Sequence, residues 1–268
     1  MVAAVLAAIE ARPWQTHLIV LSDFDGTLTP FDVDPAAPQL AAEVKRTFET
    51  LARNGVTVGL VSGRRLDDLD RRTQLLPQAY LAGLHGLEIR RETHEWRHPG
   101  LADSGEIGDA VAAALARAVG HVPGVKLEHK GVAVTIHVRG VVAQCRSSVL
   151  QTALDTAGPW LEEGRLKSLA ASEAVELLPN IAWTKGDAVR WIIEDVESRT
   201  GQPAWCVFFG DDVTDEDAFR AIRYGVTVVV GSRPSVARFR LTSPSDVAAV
   251  LARINPGGLE GSLGDDIS

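Results

Sequence analysis

The stretch GDDVTDEDAF (210–219) holds five carboxylates within seven positions: Asp211, Asp212, Asp215, Glu216 and Asp217. It follows the apolar run AWCVFF (204–209) directly. Like charges this close repel, and burying a carboxylate without a partner is costly. Asp211 and Asp212 belong at the carboxyl end of a strand, where a cation is the natural compensation. Magnesium suits such an all-oxygen site, usually taking one or two carboxylates plus phosphate oxygens and water. A second acidic pair, Asp23 and Asp25, follows another apolar run in SDFDGT (22–27). Two residues apart on an extended segment, these side chains share a face. An Asp-Gly pair alone marks a turn, but a turn leaves Asp23 unexplained.

Two further groups complete the set. Ser62 lies in VSGR (61–64), where the backbone N–H groups of Gly63 and Arg64 can cradle a phosphate. Lys185 opens a helix after Trp183 and Thr184; taken alone it reads as a solvated lysine. Together the residues suit phosphoryl transfer. One aspartate attacks phosphorus and forms an acyl phosphate. A second protonates the leaving alkoxide, then deprotonates the water that hydrolyses the intermediate. Magnesium, Ser62 and Lys185 offset charge on the transferring group. Thr214 and Asp217 have capping-box spacing, so Glu216 and Asp217 take the ordinary role of acids in a first helical turn.

The elements that must position these groups follow α/β grammar. HLIVLS (17–22) and VTVGLV (56–61) read as strands buried on both faces. Helical spacing predicts helices over 39–55 and 65–76 and a third strand over 79–86. The grammar returns with a helix over 185–201, a strand over 204–212, a helix over 214–225, a strand over 226–231 and a final helix over 243–254. Ser243 or Ser245 caps that last helix. Ligands of an open parallel sheet sit beyond the carboxyl ends of its strands, which is where the acidic, Ser-Gly and Lys motifs fall. Between the halves the pattern changes to αββαββ: helices over 103–120 and 141–158, with strand pairs over 125–140 and 165–179. Residues 1–99 and 180–268 therefore read as one discontinuous α/β domain, and residues 100–179 as an inserted α+β domain.

Bulk properties narrow the classes. A net charge of −8 argues against a nonspecific nucleic-acid binder. The chain has no apolar run of membrane-spanning length. Its two cysteines suggest no disulfide framework. The expected setting is cytoplasmic, without nucleic acid or membrane.

DFDGTL (23–28), Ser62, Lys185 and GDDVTDEDAF resemble, in order, the four motifs of the haloacid dehalogenase superfamily. The wide gap between the second and third matches a cap insertion. Within that superfamily, GDDVTDEDAF, GLHGLE (83–88), LEHK (127–130) and VELLPNIAWTKG (175–186) resemble the trehalose-6-phosphate phosphatase family. The resemblance implies a Rossmann-like core with a parallel sheet and an inserted cap. It implies Asp23 as nucleophile, Asp25 as acid/base and Mg2+ as cofactor. Asp23, the Asp25 carbonyl and Asp211 would hold the metal, with Asp212 or Asp215 in support. Glu128, Lys130 and Glu176 would contact sugar hydroxyls; read bare, Glu128 and Lys130 are a solvated pair on one strand face. Ser172 stands where the family often has a basic residue, so sucrose- or mannosylglycerate-type phosphates remain alternative substrates. The implied partners are a small sugar phosphate and a trehalose-6-phosphate synthase. A phospho-accepting receiver and a non-catalytic binding domain are the other functional classes.

Overall fold

In the computed structural model, described here for residues 1–30, 32, 34–171 and 173–255, the chain divides into two compact units. One comprises Met1–Trp96 and the chain from Trp183 onward; the other is Arg97–Ala182. Ser172 and the polar tail beyond Asn255 lie outside the described residues.

The first unit starts with α1 (Val2–Glu10), β1 (His17–Ser22), α2 (Ala42–Arg53), β2 (Thr57–Val61), α3 (Leu66–Thr73), β3 (Tyr80–Gly83), β4 (Glu88–Arg91) and β5 (His94–Arg97). The second contains α4 (Ser104–Ala118), β6 (Lys126–His129), β7 (Val134–His137), α5 (Ala143–Glu162), β8 (Leu166–Ala171) and β9 (Ala174–Pro179). The chain then returns through α6 (Lys185–Thr200), β10 (Ala204–Gly210), α7 (Asp215–Ala221), β11 (Gly225–Val230), β12 (Phe239–Leu241) and α8 (Pro244–Leu251).

An eight-stranded sheet, ordered β12-β11-β10-β1-β2-β3-β4-β5, runs through the first unit. Strands β12 to β3 pair parallel; β4 turns antiparallel on β3. The continuous apolar runs arise because both faces are covered. On β1, Leu18 and Val20 join one core cluster while Ile19 and Leu21 join the other. On β10, Val207 and Phe209 divide from Cys206 and Phe208 in the same way. Strands β4, β5 and β12 were not expected: two strands are only four residues long and one only three, too short for a strong alternation signal. Strands β3 and β10 also end earlier than the apolar pattern suggested, at Gly83 and Gly210.

The second unit has a four-stranded antiparallel sheet, β6-β7-β9-β8, with its own core. Ile136 and Val175 pair in register and enter that core beside helical Val111, Leu115, Val149 and Ala153. Glu128, Thr135 and Glu176 form the adjacent row across β6, β7 and β9. Alternation therefore puts these three polar residues on the opposite sheet face.

Candidate active site

The carboxyl ends of neighbouring β1 and β10 and the starts of α6 and α7 meet at the acidic site. Strand β1 stops at Ser22, so Asp23 and Asp25 lie on the following turn and not on an extended strand. The Asp23 N–H donates to Phe209 O at 2.8 Å, tying this turn to neighbouring β10. Phe24, between the two aspartates, is buried in the core. Asp23 is buried, and its Oδ1 lies 3.1 Å from Lys185 Nζ.

Lys185 is the first residue of α6. Thr184 and Asp187 make the capping box there: Thr184 Oγ1 accepts from Gly186 N and Asp187 N, and Asp187 accepts from Thr184 N. A cation in a first helical turn opposes the helix dipole. Buried carboxylates compensate for this placement. Lys185 Nζ donates to Asp215 Oδ1 at 2.8 Å as well as facing Asp23, and it is only 2% exposed. The solvated-lysine reading therefore fails. Burial alone would lower the Lys185 pKa, but Asp215 and Asp23 outweigh it and raise the value above the ordinary one.

Asp215 also shapes the loop before it. Its Oδ2 accepts from Asp211 N and Asp212 N, both at 2.9 Å. Gly210 permits this: a Cβ there would overlap the Asp215 carboxyl group. The expected Thr214 cap is absent, because no Thr214 side-chain bond caps α7; Asp215 serves the loop's N–H groups instead. Glu216 does have a structural role, accepting from Arg233 and from Val236 N.

Among the described residues, Asp23, Asp211 and Asp215 each offer an oxygen, and these lie within 4.8 Å of one another. Asp212 is outside that group, contrary to its expected place among the metal ligands. Its backbone, not its carboxylate, is held at the cluster. Thr27 Oγ1 donates to Asp211 Oδ1 at 2.7 Å. Burial, then the Asp215 charge, push the Asp211 pKa up to about 7, against the lowering effects of Thr27 and Lys185. Burial likewise raises Asp23, with Lys185 opposing and Asp215, Asp211 and Asp25 adding to the rise. Three buried or half-buried carboxylates share one ammonium. That charge imbalance and the all-oxygen donor set fit a hard cation.

Asp25 lies outside this cluster. Its carboxylate receives a two-pronged contact from Arg64: Nε to Oδ2 at 2.6 Å and Nη2 to Oδ1 at 2.7 Å. In the Ser62–Arg64 loop, expected to cradle a phosphate, one backbone donor is already used. Arg64 N donates to Ser62 Oγ at 3.2 Å, so only geometry different from this one frees that N–H for a phosphate. Ser62 is buried, and its carbonyl accepts from His85 N at 2.9 Å. Leu84 N donates to Arg64 O at 2.7 Å, so GLHG staples the loop from below. Gly63 is required by this packing, since a Cβ there would come within 2.8 Å of the His85 ring. Leu84 and His85 both have left-handed backbones, a strain that persists where surrounding structure enforces it.

In the second unit, Lys130 is buried and donates to Glu176 at 2.8 Å, so it is not a solvated surface lysine. Glu128 Oε2 accepts from His137 Nε2 at 2.9 Å. Thr135, between Glu128 and Glu176 in the sheet row, is buried, and its hydroxyl has no hydrogen-bond partner among the described residues. Sequence reasoning missed Thr27, Thr135 and the Arg64 side chain. Thr27 was legible only as part of DFDGT, and Thr135 only from strand register.

An open parallel sheet carrying these acids at its carboxyl edge is a haloacid dehalogenase-type fold. Residues 21–245 match the trehalose-phosphatase family model, and the chain belongs to that family. It is 34% identical over 243 residues to a trehalose-phosphate phosphatase of Mycobacterium marinum, covering 88% of this chain and 60% of that one. The chain thus spans about 60% of the length of such curated relatives. The C-terminal domain of Candida albicans trehalose-6-phosphate phosphatase superposes with a TM-score of 0.79 at 22% identity, covering 93% of this chain and 94% of that one. Aspergillus fumigatus trehalose-6-phosphate phosphatase gives 0.60 at 24% identity, with 95% and 97% coverage. Among the described residues, no helix is long and apolar enough to cross a membrane.

Proposed function

We propose that this chain is a magnesium-dependent phosphatase that hydrolyses trehalose 6-phosphate to trehalose and phosphate. The observation that carries the reading is Asp23 beside Lys185 within the Asp23–Asp211–Asp215 cluster. Asp23 Oδ attacks phosphorus as the P–O bond to the sugar breaks. Asp25 gives the departing alkoxide its proton, then takes one from the water that cleaves the aspartyl phosphate. Lys185 fixes the Asp23 carboxylate and offsets charge on the phosphoryl oxygens. Mg2+, held by Asp23, Asp211 and the Asp25 carbonyl with Asp215 supporting, would supply further compensation of phosphoryl charge. Ser62 and Gly63 bound the phosphoryl position.

The inserted unit, Arg97–Ala182, acts as the cap domain, and its Glu128, Lys130 and Glu176 recognise the sugar. Their shared polar face and the unpartnered Thr135 hydroxyl between them support this role, since a site built to hydrogen-bond hydroxyls rejects ligands lacking them. The product places the protein in trehalose synthesis, with a cytoplasmic setting and a synthase as upstream partner. Released phosphate from a panel of sugar phosphates, with Mg2+ and with EDTA, tests the reading. The expected result is a metal-dependent preference for trehalose 6-phosphate. Preference for another sugar phosphate overturns the substrate, and turnover in EDTA overturns the metal role.

A further inference from the structure

Arg64 was expected to serve phosphate through its backbone, yet its side chain does something more specific. The guanidinium is buried, with a side-chain exposure of 7%. It grips both oxygens of Asp25 through Nε and Nη2. Nη1 donates to Asp68 Oδ2 at 2.9 Å, and Nη2 also reaches Pro35 O at 2.8 Å. The cation lies 5.6 Å from the centroid of the Phe24 ring, the residue between the two aspartates. Asp68 is anchored in turn by Arg72, whose Nη1 also donates to Ala36 O and Pro38 O. A planar fork with this many fixed partners has one orientation, and a lysine cannot reproduce it.

We propose that Arg64 is a positioning residue for Asp25: its fork, braced by Asp68 and the 35–38 backbone, sets where the Asp25 carboxylate stands relative to the leaving oxygen. This rests on the reading of Asp25 as acid/base given above. In the first step a bond forms between Asp23 Oδ and phosphorus, and the P–O bond to the leaving group breaks. The leaving oxygen takes its proton from Asp25. A sugar alkoxide needs that proton; a p-nitrophenolate leaves without it. Misplacing Asp25 therefore harms one substrate more than the other, whereas general loosening of the site harms both alike. Because kcat/KM reports through the first irreversible step, it excludes the later hydrolysis that both substrates share.

The experiment measures kcat/KM for trehalose 6-phosphate and for p-nitrophenyl phosphate in wild type, Arg64→Lys, Arg64→Gln, Asp68→Asn and Asp25→Asn. Both Arg64 variants should lose about 10- to 100-fold on the sugar phosphate, a part of the usual general-acid contribution, and at most about threefold on the aryl phosphate. Asp68→Asn keeps the fork but removes its brace, and should shift the same ratio by about 3- to 10-fold. It also decides the matter if the Arg64 variants do not fold, as judged by thermal melting. Equal losses on both substrates overturn the inference and leave Arg64 a fold-holding ion pair. Retained sugar-phosphate turnover in Asp25→Asn instead overturns the acid/base reading on which it rests.

Discussion

Asp23, Lys185 and Asp215 form one buried unit whose charges depend on each other. Asp23→Asn removes the proposed nucleophile while keeping the shape, so turnover should fall to background with the melting temperature nearly preserved; near-normal phosphate release would reject the mechanism. Lys185→Met is different in kind. It leaves two buried carboxylates facing each other, and breaking such a pair costs about 3–5 kcal/mol. Denaturant unfolding should show that loss at pH 7 and a smaller one at pH 5, where protonation relieves the repulsion. At this scale the motif residues were legible from their types and spacing. The choice between Asp212 and Asp215 was not legible, because neighbouring aspartates in GDDVTD look equivalent until the loop's direction is known. The structure separates them: Asp211 faces the cluster, and Asp212 contributes an N–H to Asp215.

Helix α6 has to place a cation at its own positive end, so its start must be fixed by more than propensity. The Thr184–Asp187 capping box does this. Thr184→Ala should cost about 0.5–2 kcal/mol in urea unfolding and should lower kcat as well, because Lys185 is the next residue. A stability loss with unchanged kcat would show that the cap serves only the helix. The Gly210 turn carries the matching constraint at the end of β10. Gly210→Ala drives a Cβ into the Asp215 carboxyl group, so metal affinity measured by titration should weaken together with activity. The capping box here went unread in the sequence, where Thr184 and Asp187 merely flank the lysine, whereas the one expected at Thr214 was displaced by the demands of the site. Local rules give way where function sets the geometry.

For the whole molecule, the acidic cluster is a source of instability that a bound cation would relieve. Asp23 and Asp211 have folded-state pKa values raised above their ordinary range. Above pH 4 the unfolded chain has released protons that these groups still hold when folded. The unfolded state then binds fewer protons, and stability falls as pH rises. Above the range where ordinary carboxyls titrate, from about pH 5.5, the metal-free protein should therefore lose melting temperature up to about 7, the raised value of Asp211. Carboxyls held low, such as Asp68 and Glu216, give the opposite slope at about pH 4 to 5, where their unfolded forms are still partly protonated, and are ionised in both states only above about pH 5.5. Saturating Mg2+ at a hundred times its dissociation constant should add about 2.7 kcal/mol and flatten the dependence. Melting curves across pH with and without Mg2+ check both signs; a metal-free curve that rises between about pH 5.5 and 7 contradicts the charge assignment.

The sequence by itself determined the alternation of buried strands and helices, the inserted αββαββ segment and the order of the chemical motifs. These are local properties, written in periodicity and spacing that each segment carries alone. Only the tertiary structure decided which oxygens meet. Lys185 became buried because residues 162 and 30 positions away brought Asp23 and Asp215 to its ammonium. Arg64 became the holder of Asp25 because β1 and β2 lie side by side in parallel register. Thr135 joined Glu128 and Glu176 through antiparallel pairing. Such meetings depend on strand register and side-chain direction across the sheet, and no single stretch of sequence contains them.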